Sequence, residues 1–262
     1  MKIAITGKGG VGKTTITAII AQTFADKERN VLAIDADPSP CLSGALGFPS
    51  ELREKLIPIV EMDDLIYERT GAKKGTSGGF FTINPQVDDI PERFSVSHRG
   101  VRLLEMGAIK NGGAGCICPE SALLKTLFTH LMFRKEDILL FDMYAGVEHL
   151  GRATVDFVDA LLIIIEPTKR SVETAKQINM LANDLGLFRQ WVIGNKIYNQ
   201  SDIDFIENEV KDLPLLGYFN LEHDFSEADR LGIPVYDFIP GIQAQGEIIA
   251  QKLISLTETI KP

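Results

Sequence analysis

A glycine-rich segment near the start of the chain carries the most recognisable chemistry. Residues 7–14 read Gly-Lys-Gly-Gly-Val-Gly-Lys-Thr. This spacing satisfies both G-x-x-x-x-G-K-[ST], which binds nucleoside triphosphates, and G-x-G-x-x-G, which binds dinucleotides. The dinucleotide interpretation is supported by Asp35, which stands about where a ribose-binding acid would fall, but it leaves Lys13 and Thr14 without a role. The triphosphate interpretation uses every residue and is therefore favoured.

The triphosphate interpretation gives each part of this segment a task. Glycines let backbone N–H groups approach the phosphates, and the dipole of the following helix adds favourable potential. Lys13 would offset charge on the β and γ phosphates, and the Thr14 hydroxyl would coordinate Mg²⁺. The predicted nucleotide-binding residues of this segment are Gly7, Lys8, Gly9, Gly10, Val11, Gly12, Lys13, Thr14 and Thr15.

Acidic residues end two further apolar runs. Asp142 follows Ile-Leu-Leu-Phe, and a buried strand that ends in a carboxylate is suited to hold the Mg²⁺ shell. Residues 35–38 read Asp-Ala-Asp-Pro, where Pro38 cannot continue a strand and biases Asp37 toward extended geometry. We expect Asp35 to cap this turn.

Two cysteines form a second candidate site. Cys116 and Cys118 lie one residue apart, with glycines before them and Pro119 after them, so we expect both thiols in a loop away from the core. Two thiols in such a loop can converge on one soft cation, but Zn²⁺ or Ni²⁺ ordinarily takes four ligands. Two copies of the pair across a twofold axis would complete the set, which predicts a homodimer. A redox pair and inert thiols remain the alternatives.

Composition bounds the class of protein. The 262 residues are 45% hydrophobic and 24% charged, as in globular proteins, and the net charge of −9 argues against nucleic acid and stable membrane association. The longest apolar run, 160–165, is too short to span a bilayer. No signal-peptide core fits the first residues and the cysteine number is odd, so we expect a cytoplasmic protein. No boundary divides residues 1–262, which predicts one domain.

The elements that must position these residues follow an alternating pattern. Apolar strands predicted to be buried on both faces alternate with periodic helices, which predicts an α/β fold with a doubly wound, mainly parallel sheet. The predicted strands are 2–6, 31–35, 138–142, 160–166 and 191–194, with an extended run at 80–83. The predicted helices are 13–26, 52–69, 171–185, 203–210 and 243–256.

Residues 8–15, Lys-Gly-Gly-Val-Gly-Lys-Thr-Thr, resemble the deviant Walker A motif of the SIMIBI class of P-loop NTPases, which includes MinD, ParA and the nitrogenase iron protein. The resemblance implies an ATP-dependent homodimer in which Lys8 reaches the partner's nucleotide and acts in catalysis with Lys13. It assigns Asp37 to orienting or deprotonating the attacking water.

The same resemblance extends to segments later in the chain. Ala145-Gly146 is similar to switch II, whose glycine N–H senses the γ-phosphate. Asn195 is the implied adenine contact, with Lys196 beside it and Pro240-Gly241-Ile242 on the other side of the base.

Longer segments resemble CooC-type ATPases, which assist nickel insertion into carbon monoxide dehydrogenase. They are 84–91, 112–120, 122–125, 141–152, 166–171 and 184–186. The resemblance implies an ATPase that carries Ni²⁺ or Zn²⁺ on Cys116 and Cys118 and serves carbon monoxide dehydrogenase or acetyl-CoA synthase.

Two residues near switch II are judged separately from the CooC-type resemblance. Tyr144 departs from the acid expected in the CooC-type family, and a surface or second-shell role is favoured over metal ligation for His149.

The runner-up function is a MinD/ParA-like spatial-positioning ATPase without metal, which leaves Cys116 and Cys118 without a role. An iron–sulfur reductase comes third, because its cluster cysteines lie far apart in sequence.

Overall fold

The structure is a computed structural model. It describes residues 1–76, 80–107, 118–134, 138–144, 146, 157–220 and 225–260. The strands within these residues are β1 (Lys2–Gly7), β2 (Val31–Ala36), β3 (Val96–His98), β4 (Val101–Glu105), β5 (Ile138–Met143), β6 (Ala160–Ile165), β7 (Gln190–Ile197) and β8 (Leu215–Asn220).

The helices in the same part of the chain lie mostly between the strands. They are α1 (Lys13–Ala25), α2 (Leu42–Ala45), α3 (Ser50–Arg53), a 3-10 turn η1 (Ile59–Glu61), α4 (Asp63–Thr70), α5 (Ile90–Phe94), α6 (Pro119–Phe133), α7 (Lys169–Leu185), α8 (Gln200–Glu209), α9 (Phe225–Leu231), α10 (Val235–Phe238) and α11 (Ile242–Ile260).

The strands form one sheet whose order, among the residues described, is β3-β4-β2-β5-β1-β6-β7-β8. Every neighbouring pair is parallel except β3 and β4. The carboxyl ends of β4, β2, β5 and β1 therefore meet at one edge, where ligands bind in open α/β sheets. This confirms the predicted α/β fold with a mainly parallel sheet.

The core consists of two apolar layers, one on each face of the sheet. One layer includes Ile3, Ile5 and side chains of α1 and α11, and the other includes Ala4 and side chains of α6 and α7. Every residue of β2, β5 and β6 is buried, as expected for parallel strands covered on both faces. None of the helices in the described residues is long and apolar enough to cross a membrane.

Local structure departs from the prediction in three places. The predicted helix 52–69 is wrong, because Pro58 interrupts it and the chain forms α3, η1 and α4 instead. The run at 80–83 forms no strand. The sequence analysis also missed β3, β4 and β8, of which β3 and β8 are edge strands with partly exposed residues and so lack a continuous apolar pattern.

Candidate functional site

The glycine-rich segment forms a tight loop between β1 and α1. Gly7 closes β1 so near β6 that a Cβ atom would lie 2.5 Å from the Ile164 carbonyl oxygen. Gly12 precedes α1 with φ of 94°, and a Cβ atom there would lie 2.3 Å from Asn195 Nδ2. Both positions therefore require glycine, which explains two of the four glycines in the motif.

Lys13 points back into this loop. Lys13 is buried, and its Nζ donates a hydrogen bond to the Lys8 carbonyl oxygen at 3.3 Å. Burial lowers the pKa of Lys13, while the charges of Asp142 and Asp37 oppose that effect. An ammonium group held inside the loop between its backbone and two carboxylates can neutralise phosphate oxygens that enter the loop. Lys8 itself is half-buried.

Asp142 at the end of β5 has the geometry expected of a Mg²⁺-shell ligand. Its side chain is buried beside the Thr14 hydroxyl, it accepts a hydrogen bond from the Thr17 hydroxyl at 3.4 Å, and its Oδ2 atom has no partner among the described residues. Burial raises the pKa of Asp142 to about 7. A buried carboxylate oxygen without a donor is costly, and a divalent cation or its bound water would satisfy it. The residues present therefore fit Mg²⁺.

Asp35 and Asp37 lie at the end of β2 and directly after it, and Asp35 has the role that the sequence predicts. The Asp35 carboxylate is fully buried and accepts N–H bonds from Asp37 at 3.0 Å and from Cys41 and Leu42 at 2.9 Å. Burial raises the pKa of Asp35 despite these bonds. Asp35 thus caps the turn that follows β2, which we call switch I (residues 37–43).

Asp37 is the half-buried member of the pair. Its Oδ1 accepts the Ser39 N–H at 2.9 Å, and its charge acts on Lys13 in the phosphate loop. A carboxylate that keeps an exposed face beside the loop can accept a proton from water. The catalytic assignment of Asp37 stays a prediction.

Sequence analysis missed a third acid in the same row. Glu105 ends β4 and lies in register with Asp35, which in turn lies in register with Asp142. Its side chain is buried beside Ser43, and burial raises its pKa to about 7. The available signal was Val-Arg-Leu-Leu-Glu, an apolar strand that ends in an acid like those before Asp35 and Asp142.

Asn195 and Lys196 on β7 both contact the phosphate loop. Asn195 is buried and donates from Nδ2 to the Val11 carbonyl oxygen at 2.7 Å. Lys196 Nζ donates to the Gly10 carbonyl oxygen at 2.8 Å and pairs with Glu166 at 3.1 Å. These bonds hold the backbone of the loop, and the adenine contact proposed for Asn195 stays a prediction.

The switch II glycine is tied to β1. The Thr6 hydroxyl donates to the Gly146 carbonyl oxygen at 2.7 Å and accepts the Gly146 N–H at 3.1 Å. In this conformation the N–H predicted to sense the γ-phosphate is therefore engaged by Thr6. Tyr144 is exposed, whereas Ala145 and His149 lie outside the described residues.

A cleft of about 880 Å³ opens beside the phosphate loop, large enough for a nucleoside. Thr14 and Thr15 form one wall and switch I residues Cys41 and Ser43 form another, while the third wall comes from residues 225–236. Residues 240–242, expected beside the base, do not line this cleft.

Of the cysteine pair, Cys116 lies outside the described residues and Cys118 immediately precedes α6. Cys118 is only 6% exposed, its Sγ lies 2.9 Å from Ser121 Oγ, and burial raises the pKa of its thiol. The expectation of a thiol away from the core is wrong for Cys118 in a single chain, because α6 packs its first residues against the core. No cluster of three potential metal ligands occurs in the described part of the chain.

Comparison with known proteins decides the family. Residues 2–240 match the CobQ/CobB/MinD/ParA nucleotide-binding domain. The chain belongs to this MinD/ParA-type family. It is 44% identical over 97% of its length to the carbon monoxide dehydrogenase accessory protein CooC of Rhodospirillum rubrum, covering 96% of that protein. The predicted resemblance to CooC is therefore confirmed.

Three further proteins resemble this MinD/ParA-type chain in sequence or in fold. It is 43% identical to an uncharacterised ATP-binding protein of Methanocaldococcus jannaschii over 90% of its own length and 91% of the relative's. The MinC:MinD cell division complex of Aquifex aeolicus shares the fold with TM-score 0.68 and 22% identity, over 97% of this chain and 96% of that one. MinD of Pyrococcus horikoshii, solved with Mg-ADP, shares it with TM-score 0.61 and 21% identity, over 99% and 95%.

Proposed function

We propose that this chain is an ATP-hydrolysing nickel-insertion protein that matures carbon monoxide dehydrogenase or acetyl-CoA synthase. The chain is 44% identical to the accessory protein CooC over 97% of its length, and this similarity supports the class of client. The observation that carries the ATPase assignment is the buried Asp142 carboxylate, which lies beside the Thr14 hydroxyl and whose Oδ2 atom has no partner in the described residues. This is the donor set that a Mg²⁺-nucleotide requires at the end of a phosphate loop.

Hydrolysis would use the residues around the loop as follows. Bound Mg²⁺, held by Thr14 and the shell that Asp142 supports, would supply positive charge that stabilises the phosphates. Lys13 binds the β and γ groups, while Asp37 orients the water and accepts its proton. The water oxygen bonds to the γ-phosphorus as the bond to the bridging oxygen breaks, which yields ADP and inorganic phosphate.

The metal step requires two copies of the chain. Cys116 and Cys118 of two protomers would supply four thiolates to one Ni²⁺ or Zn²⁺, with Ni²⁺ as the cargo. Because Cys118 is 6% exposed in a single chain, α6 or its surroundings must shift before the thiol can be shared. ATP binding would close the dimer and expose the thiols, and hydrolysis would reopen it and release the metal to the client.

Metal stoichiometry measured together with oligomeric mass tests this proposal. Wild type and the Cys116→Ala/Cys118→Ala double variant are compared with and without ATP, after loading with Ni²⁺ or Zn²⁺. Cys41→Ala is the matched control, because Cys41 is the third cysteine of the chain and lies in switch I. We expect one metal ion per dimer in wild type and in Cys41→Ala, and none in the double variant.

Two outcomes would contradict the proposal. Metal retained at full stoichiometry by the double variant would refute the ligand assignment. Absence of metal from wild type, with dimerisation still dependent on ATP, would favour the spatial-positioning ATPase instead.

A further inference from the structure

The cleft beside the phosphate loop has two walls that come from distant parts of the chain. Phe48 belongs to the segment after α2, whereas Tyr236 belongs to α10, and both side chains line the cleft. The two walls meet at Gly47, where an added Cβ atom would lie 2.4 Å from Pro234 Cγ. How firmly the cleft encloses a nucleoside therefore depends on what holds α10 in place.

The first anchor of α10 is the end of α1. The Tyr236 hydroxyl donates a hydrogen bond to Asp26 Oδ2 at 2.8 Å, and Asp26 Oδ1 accepts one from Gln22 Nε2 at 2.7 Å. Tyr236 is 7% exposed and Gln22 is 5% exposed, so water competes little with these bonds. Asp26 directly follows α1, whose first residue is Lys13. The helix that presents Lys13 to the phosphates thus also holds a wall of the cleft.

The second anchor of α10 is the turn between β3 and β4. Arg99 Nη2 donates to Asp237 Oδ1 at 2.7 Å, and Nη1 donates to the other oxygen of the same carboxylate. The Arg99 carbonyl oxygen accepts a hydrogen bond from Gln22 Nε2 at 3.2 Å. In the same turn, the His98 ring packs on Phe48 with 5.1 Å between the ring centroids. One short turn therefore contacts α1, α10 and the wall of the cleft that contains Phe48.

The backbone of Arg99 indicates that its side chain has a task. Arg99 and Gly100 join β3 to β4 in a two-residue turn, with φ of 49° and 80°. A hairpin turn with positive φ at both residues favours Asn, Asp or Gly at the first position, where other residues are strained. The turn alone gives no reason for an arginine at this position, whereas the guanidinium bound to Asp237 does.

The ion pair between Arg99 and Asp237 is suited to fix a geometry. The two side chains are 35% and 34% exposed, and a pair so open to water contributes little to the stability of the fold. Two parallel hydrogen bonds to a planar guanidinium nevertheless restrict both the distance and the orientation of the carboxylate. The pair therefore acts mainly on where α10 lies.

We propose that Arg99 is a positioning residue that holds α10 against the cleft, in the arrangement that binds the nucleoside part of ATP and ADP. This inference rests on the proposed function, because it assumes that both nucleotides occupy this cleft. Arg99 itself is not among the residues that line the cleft. Without the ion pair, α10 leaves this arrangement part of the time, and the apparent Kd rises as the fraction of binding-competent molecules falls.

Nucleotide affinity and turnover of Arg99→Asn test the proposal. Asparagine tolerates positive φ, so this variant removes the ion pair without adding strain to the turn. We expect the Kd of ADP and of ATPγS, measured by calorimetry, to rise equally by about tenfold, because both contain the same nucleoside. The KM for ATP should rise by a similar factor while kcat stays unchanged, because bound ATP still meets Lys13 and Asp37.

A matched control uses the same substitution in the wall that contains α10. Arg230 lies on α9, pairs with Glu227 at 3.2 Å and does not line the cleft. Arg230→Asn should therefore keep the wild-type Kd of both nucleotides.

Exchange of the two charges tests whether Arg99 acts through Asp237. Arg99→Asp and Asp237→Arg each bring like charges together, so each should weaken binding at least as much as Arg99→Asn. The double variant restores an ion pair of reversed sense, and aspartate also tolerates the turn conformation. Its Kd should return to within about threefold of the wild-type value.

The outcomes distinguish failure of this inference from failure of the proposed function. A wild-type protein that neither binds nor hydrolyses ATP overturns the proposed ATPase and this inference together. Normal wild-type activity with an unchanged Kd in Arg99→Asn overturns the inference alone. A kcat that falls with affinity, or a double variant as weak as the single charge variants, also overturns it, because Arg99 then does not position α10 through Asp237.

Discussion

Three acids occupy one row of the register at the carboxyl edge of the sheet: Glu105, Asp35 and Asp142. Their surroundings assign different tasks to the same functional group. Three backbone N–H groups hold Asp35, Glu105 is buried beside Ser43, and Asp142 has a carboxylate oxygen with no partner in the described residues. At the residue scale, function is therefore set by which donors reach each carboxylate.

The raised pKa of Glu105 predicts a pH-dependent stability difference. Its pKa is about 7 in the folded chain and has an ordinary value of 4.5, so the folded state holds an extra proton between these values. Stability contributed by this group is therefore complete below pH 4.5 and is lost as pH rises to 7. We expect Glu105→Gln to be more stable than wild type by about 1–3 kcal/mol at pH 8, with a much smaller difference at pH 5.

Urea unfolding of the nucleotide-free protein at both pH values measures this difference. Glu54→Gln serves as the control, because Glu54 is exposed and its replacement should leave stability within about 0.5 kcal/mol of wild type at either pH. A Glu105→Gln difference that does not grow between pH 5 and pH 8 would contradict the titration argument.

At the element scale, both the phosphate loop and switch II are held by residues distant in sequence. β7 holds the phosphate loop through Asn195 and Lys196, and β1 holds switch II through the two bonds between Thr6 and Gly146. The bond to the Gly146 N–H has a direct consequence for switch II. Because one N–H group cannot serve Thr6 and a γ-phosphate fully, nucleotide must displace the Thr6 bond to engage switch II.

Replacement of Thr6 should shift nucleotide preference toward ATP. Thr6→Val keeps the volume but leaves Gly146 without its buried partner, which destabilises the nucleotide-free state by about 1–3 kcal/mol. If the γ-phosphate engages the Gly146 N–H, that cost is absent in the ATP-bound state. We expect the Kd of ATPγS to fall by about tenfold relative to the Kd of ADP.

Calorimetric titration of both nucleotides measures this shift. Thr6→Ser is the matched control, since it keeps the hydroxyl and should retain the wild-type ratio of the two Kd values. An equal change in the affinity for ATPγS and ADP in Thr6→Val would show that Gly146 does not distinguish them.

At the scale of the whole molecule, the proposed active unit is a pair of chains. Lys8 lies in the phosphate loop beside Lys13, yet the resemblance to the deviant Walker A class assigns it to the partner's nucleotide. A lysine supplied across an interface would make hydrolysis depend on assembly, as arginine fingers do. The four-thiolate metal site imposes the same requirement.

Subunit mixing tests the assignment of Lys8. Lys8→Ala should bind ATP with near wild-type affinity but hydrolyse it about a hundredfold more slowly, and Asp37→Asn should also be inactive. In a mixed dimer the Asp37→Asn subunit supplies Lys8 to the intact Asp37 of the other. We expect a 1:1 mixture to recover about a quarter of wild-type turnover, because half of randomly paired dimers hold one active site.

Turnover is followed as phosphate release while the mixing ratio is varied at constant total protein. The activity should peak at equal amounts of the two variants and vanish for each variant alone. Activity that stays at the level of the separate variants would place Lys8 in its own subunit's site.

The sequence by itself determined the features that depend on residue type and spacing. The phosphate loop, the acids that end β2 and β5, and the alternation of apolar strands with helices are local patterns, so the α/β fold and the candidate residues of a nucleotide site could be predicted from them. Pro58 is a local signal as well. The predicted helix 52–69 was wrong because the helical pattern of these residues was given more weight than the proline that interrupts it.

Only the tertiary structure decided what those residues contact. The bonds from Asn195 to Val11 and from Thr6 to Gly146 join segments separated by 184 and 140 residues. No local pattern encodes such pairs, because they arise from the order in which the strands lie in the sheet. The burial of Cys118 has the same cause, since it depends on the core beneath α6 and not on the residues beside the thiol.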